Sequence, residues 1–174
     1  MAIFLRPISE SDGRMIVRWR NDPNVLNHCL DKTRITEESN LAFYKANVLT
    51  GKYKQFIVEC QDETTGVCCY PIATVYLKDM DYGNKRCELC IFTSNDVEWN
   101  PDSQSSAIQM LTEKAFNEFG MHKVYSYVFA KYPNERELLE KAGFTVEAIL
   151  KNEACNEMGQ YEDIIRLSVF KPNK

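Results

Sequence analysis

A length of 174 residues, with 44% hydrophobic and 26% charged content, fits one domain (1–174) with a full core. The formal net charge of −4 argues against general nucleic-acid binding, and no apolar run approaches the roughly 20 residues a bilayer-spanning helix needs. Nothing in MAIFLRPISESD reads as a signal peptide, so the expectation is a cytoplasmic protein with no nucleic-acid or membrane partner.

AIFLRP (2–7) reads as a short strand closed by proline. Ser9 or Ser11 can cap a helix carrying Met15, Ile16, Val17 and Trp19 to about Asn21, where Asp22-Pro23-Asn24 breaks it. TEES (36–39) caps a second helix through Leu41, Tyr44 and Val48, stopped at Thr50-Gly51. The period then changes. KQFIVECQD (54–62), YPIATVYLKDMD (70–81) and CELCIFTS (87–94) read as strands, with turns near Glu63–Gly66 and at Tyr82-Gly83-Asn84.

Cys87 and Cys90 form a CxxC, but positions i and i+3 of a strand face opposite sides, which does not suit a zinc knuckle. The seven cysteines, at residues 29, 60, 68, 69, 87, 90 and 155, are odd in number and irregularly spaced, so the expectation is reduced thiols and no metal.

EWNPDSQSSAIQML (98–111) opens a helix whose Ile108, Leu111, Ala115 and Phe119 share one stripe, ending at Gly120. A helix start suits an anion, yet this one carries two acids and no glycine, Lys or Arg. The residues also fit a plain cap, Asn100 before Pro101. KVYSYVFA (123–130) is a buried strand, NERELLEKAGF (134–144) a short helix ended by Gly143, and TVEAILK (145–151) and YEDIIRLSVF (161–170) two further strands joined by a polar loop. A three-strand meander followed by strand–helix–strand crossovers predicts a mixed α/β sheet of about seven strands with helices on both faces.

LRPISESD, WRNDPNV (19–25), PIATVYLKDMD (71–81), CELCIF, AFNEFGMHKVYSYV (115–128) and NERELLEKAGF, in this order and spacing, resemble the GNAT superfamily of N-acetyltransferases. The closest likeness is to the branch acting on ribosomal-protein N-termini and amino sugars. The resemblance covers nearly the whole chain. It implies the acyl-CoA N-acyltransferase fold, with a V-shaped opening between the strands at 87–93 and 124–130 for the pantetheine arm. It also implies acetyl-CoA as co-substrate, and direct transfer to a primary amine of a protein N-terminus, a small amine or an amino sugar, by a monomer or homodimer. The alternative is a catalytically silent GNAT-fold binding or regulatory protein.

Residue by residue, the resemblance puts Glu88 at the catalytic base, Ile91 and Phe92 beside the cofactor, and Ser103, Gln104, Ser105 and Ser106 at its pyrophosphate. Asn134 would contact cofactor, or cap its helix. Trp19, Arg20, Asn21 and His28 would border the acceptor. Two departures stand out. The family's LYEK reads LLEK here, so Leu139 replaces a proton-donating tyrosine and Tyr132 is the expected substitute, with Tyr127 and Tyr161 as further options. NPDSQSS (100–106) replaces a Gly-rich phosphate turn.

Overall fold

Seven runs rich in β-branched and aromatic residues pair into one mixed sheet, in a computed structural model that describes residues 2–61, 64, 69–91 and 94–173. The strands are β1 (Ala2–Pro7), β2 (Lys54–Gln61), β3 (Cys69–Asp81), β4 (Arg86–Ile91), β5 (Lys123–Phe129), β6 (Thr145–Cys155) and β7 (Tyr161–Phe170), in the order β1-β2-β3-β4-β5-β7-β6. β1 to β4 form an antiparallel meander, β4 and β5 are parallel, and β5, β7 and β6 are again antiparallel. The turn expected near Glu63–Gly66 lies largely outside the described residues.

Parity along the strands separates two faces. Phe56, Val58, Val75, Leu77, Cys87, Leu89, Val124 and Val128 join one core with Ala107, Ile108, Leu111 and Ala115 of α4 (Pro101–Asn117). α5 (Pro133–Lys141) packs beside α4 and β5 and adds Leu139 to the same core. On the other face, Gln55 borders a cavity of about 410 Å³ with Ile16 of α1 (Gly13–Arg20) and Leu41 of α3 (Glu37–Phe43). Helices therefore cover both faces. Among the described residues no helix is long and apolar enough to cross a membrane.

Local signals account for most boundaries. Thr36 accepts from the Ser39 N–H and opens α3, which continues as a π-helical turn over Tyr44–Val48. Gly120 and Gly143 take the left-handed φ values of 68° and 96° that stop α4 and α5. Asp22-Pro23-Asn24 ends α1 as expected and also starts a short helix, α2 (Pro23–Leu26), because Asp22 accepts from the Asn24 N–H and proline suits the first helical position. Two expectations are corrected. Asn134 does not cap α5, because Pro133 takes the first position and Tyr132 precedes it. β6 runs on to Cys155, its register shifted between Leu150 and Ala154, with Asn152 at φ 52°.

The LRPISESD phrase proves to be a clamp. Arg6 grips Asp12 bidentately at 2.8 Å and reaches Glu59 of β2, while Ser9 N–H also donates to Asp12. These bonds, chiefly that from Arg6, hold the buried Asp12 carboxyl below the usual carboxylate range. A depressed folded pKa gives stability that is complete above the unfolded value of about 3.9 and is lost as pH falls through the folded one. Asp12→Asn is therefore expected to cost about 1–2 kcal/mol at neutral pH and to flatten the loss of stability below about pH 4. Urea midpoints across that range check it. A variant with the wild-type acid slope would remove Asp12 from the account.

Candidate active site

Among the described residues the only parallel pair in the sheet is also its shortest. β4 and β5 pair through Arg86–Lys123, Cys87–Val124 and Glu88–Tyr125, and no pairing of described residues follows. From Leu89 onward the two strands diverge, giving the expected V-shaped opening. The Ser126 hydroxyl spans its apex, donating to the Leu89 carbonyl at 2.8 Å. That bond puts the Leu89 peptide group on the β5 side, and the two-residue period puts the Ile91 N–H there too. Ile91 thus lines the opening. Phe92 lies outside the described residues.

A cleft of about 220 Å³ opens beside this splay. Its floor comes from alternation on β3 and β4, where Tyr76 pairs with Cys90 and Lys78 with Glu88, all on the face away from α4. Glu88 is buried, 6% exposed, with Lys78 Nζ 3.5 Å from Oε2 and the Cys90 thiol 3.3 Å from Oε1. Burial pushes its carboxyl above the usual range and Asp79 adds to the rise, while Lys78 and Cys90 act against it. Such a group is more basic than an ordinary carboxylate. Cys87 faces the core and Cys90 the cleft, so the CxxC cannot grip one ion. Cys68 lies outside the described residues.

The roof is the segment 27–36, and the WRNDPNV phrase holds it down. Arg20 donates to the Asp31 carbonyl at 2.5 Å. Asn21 donates to the Ile35 carbonyl and accepts from its N–H, at 2.6 and 2.8 Å. His28 meets Glu135 of α5 through Nδ1 and stacks on Tyr132, centroids 4.0 Å apart. Arg20 and His28 therefore line the cleft. Asn21 is instead committed to the roof's backbone, and Trp19 is half-buried away from the described lining.

The tyrosines are redistributed too. Tyr132 is absent from the described lining; its hydroxyl points at the Asn27 carbonyl, 3.4 Å away. Tyr161 is 67% exposed on β7. The phenols in the lining are Tyr76 and Tyr127, and the Tyr127 oxygen accepts from Arg166 at 2.8 Å. Lys78, Cys90 and Glu135 are site residues that reading the sequence missed, although alternation in TVYLKDM and CELCIF marks the first two.

An acyl-CoA fits this chain in one half. The splay offers unpaired strand edges for an extended arm. The α4 start offers little to a phosphate, because Asn100 Oδ1 accepts from both the Asp102 and Ser103 N–H groups at 3.1 Å. Ser103 Oγ donates to the Glu98 and Asn100 carbonyls, Gln104 donates to the Trp99 carbonyl, and Ser105 is buried. The Ser103 and Gln104 side chains are thus engaged in the cap. Ser106 is half-buried one turn in, and Asn134 is exposed on the first turn of α5. The missing cation is supplied from elsewhere, with Lys141 of α5 lying 3.0 Å from Asp102.

Residues 2–145 match the family model described as the acetyltransferase (GNAT) domain. No curated protein matches the sequence. Among solved structures, spermidine N-acetyltransferase from Vibrio cholerae, in complex with CoA and spermine, superposes with a TM-score of 0.85 at 21% identity, covering 97% of this chain and 95% of that one. A chimera of the Vibrio cholerae enzyme SpeG with hSSAT gives 0.84 at 20% identity, covering 98% and 96%. At such identities the likeness establishes the fold.

Proposed function

The chain belongs to the GNAT acetyltransferase family and is an acetyl-CoA-dependent N-acetyltransferase of a primary amine; from that premise we propose that its acceptor is a small aliphatic amine and that Glu88 is the base. The observation that carries the reading is the position of Glu88, a buried carboxylate on the last residue of β4 to pair with β5.

Acetyl-CoA, when bound, supplies the acetyl thioester. The chain does the rest. Glu88 takes the proton that the acceptor ammonium must lose, directly or through a water, since an aliphatic amine is largely protonated at neutral pH. Lys78 opposes the effect of burial and favours the charged carboxylate. The Ile91 N–H, on the open side of β4, is placed to donate to the thioester oxygen. Tyr127 presents the phenol from which the leaving thiolate takes a proton. The acceptor end favours a compact cation. Three carboxylates, Asp31, Glu88 and Glu135, border the space against two cations, Arg20 and Lys78. The Vibrio cholerae relative, which holds spermine, supports the same class.

Acetyl transfer to a short aliphatic diamine, compared with a peptide bearing a free N-terminus, tests the acceptor. Higher kcat/KM for the diamine is expected, and a preference for the peptide would refute the small-amine reading.

The self-capped helix start gives a second measurable consequence. Asp102 and Lys141 are both largely exposed, with side-chain exposures of 89% and 60%, so their pairing is weak and the acid's charge is already partly offset. Asp102→Asn is expected to change the calorimetric Kd for CoA by less than about threefold, in the tighter direction. A loss of binding would mean that Asp102 organises the phosphate end.

A further inference from the structure

We propose that Cys90 is a positioning residue for the transfer: its thiol hydrogen holds one Glu88 oxygen while Lys78 holds the other, fixing the carboxylate in the orientation from which it takes the amine proton. The proposal rests on the reading of Glu88 as the base.

The geometry is specific. Cys90 follows Glu88 by two residues on β4, so both side chains stand on the cleft face. The Cys90 Sγ lies 3.3 Å from Glu88 Oε1, and Lys78 Nζ lies 3.5 Å from Oε2. Pairing with β5 ends at Glu88, whose register partner there is Tyr125. Tyr76, the register partner of Cys90 on β3, backs the thiol from the other side. A glutamate has three side-chain torsions, and two donors on opposite oxygens leave little rotation about the last.

A thiol at this position serves as a donor and not as a nucleophile. Burial first, and then the Glu88 charge, push it well above the usual thiol range, so it stays protonated. The proton it shares also favours the charged form of Glu88, opposing the effect of burial.

Other groups face Glu88 and set the background of any pH profile. Lys78 and Asp79 come from β3, Tyr125 from β5, and Tyr53 from the segment before β2. Across the cleft stand Arg20, His28 and Asp31 from the N-terminal segments and Glu135 from α5. Lys78 and Tyr53 also feel Cys90, so the Ser variant, which keeps the donor, is the reference against which the lost donor is read.

The test compares Cys90→Ser, Cys90→Ala and Cys90→Val with Glu88→Gln and wild type, measuring kcat/KM against pH with one diamine and the melting temperature of each. Ser keeps a donor and is expected to keep the profile and the rate within about twofold. Ala and Val remove it. The acid limb then moves to higher pH, and kcat at neutral pH falls roughly fivefold with the acceptor KM nearly unchanged. Val fills the volume without a donor and takes over the comparison if Ala disturbs folding. An unmoved acid limb in folded Ala or Val variants overturns the proposal. So does acetyl found on Cys90 by mass spectrometry after incubation with acetyl-CoA alone, since the thiol would then be a nucleophile. A Glu88→Gln enzyme of wild-type rate removes the base reading itself, a different failure, and the proposal falls with it.

Discussion

Glu88→Gln is expected to lower kcat/KM by roughly 10²-fold or more at neutral pH, the usual scale for a lost general base. Gln keeps the shape and still accepts a hydrogen bond, so the change isolates the charge. Affinity for CoA should hardly move, because the side chain stands on the acceptor face of β4. Stability should change little. The pair with Lys78 is long at 3.5 Å, and Lys78 keeps 27% of its side-chain surface in water, so its ammonium tolerates losing a partner. The pH dependence carries its own sign. Glu88 acts when ionised, and burial raises its pKa, so wild-type activity should fall as pH drops through that raised value. The variant should lack this limb while keeping the one set by the amine. Steady-state kinetics across pH decide it, and near-wild-type activity would move the base elsewhere.

Leu111→Ala is expected to destabilise the protein by about 3 kcal/mol, within the range for a large-to-small change at a fully buried site. Leu111 is fully buried in the middle of α4, within the core that includes Leu77, Leu89 and Val124 from three adjacent strands. Those strands leave no side chain free to fill the gap, because their positions are fixed by the ladder. For a domain of this length the melting temperature should fall by roughly 6–12 °C. Chemical denaturation should show a lower midpoint at an unchanged slope. Activity well below the transition should survive, since Glu88 and the roof stand on the other face. A loss under about 1 kcal/mol would mean that α4 is not seated as described.

The pattern of the chain carried much of this. Alternation and turn chemistry located the strands, and the cap and stripe of the 98–111 stretch located α4. The same stretch fitted two uses, phosphate site or closed cap. Its own residues could not choose, because the choice depends on where Asn100 Oδ1 and the serine hydroxyls point once Trp99 is buried against the core. The short helix at Pro23 was missed because proline after aspartate serves a turn and a helix start equally well. The α5 cap was misplaced by two positions, from Tyr132 to Asn134, for the same reason, since Pro133 begins the helix.

What the sequence determined by itself was therefore local: the element order, the buried face of each element, and the pairing of Glu88 with Cys90 and of Tyr76 with Lys78 on single faces of their strands. What the tertiary structure decided was register and distance. The offset between β3 and β4 sets Lys78 opposite Glu88, and the end of β4–β5 pairing opens the splay beside them. Long-range contacts bring His28 to Glu135, Arg6 to Glu59 and Lys141 to Asp102. The physical reason is the range of the forces. Side-chain direction within a strand follows from backbone geometry two residues away, whereas the alignment of two strands or helices is fixed by the packing of the whole core between them.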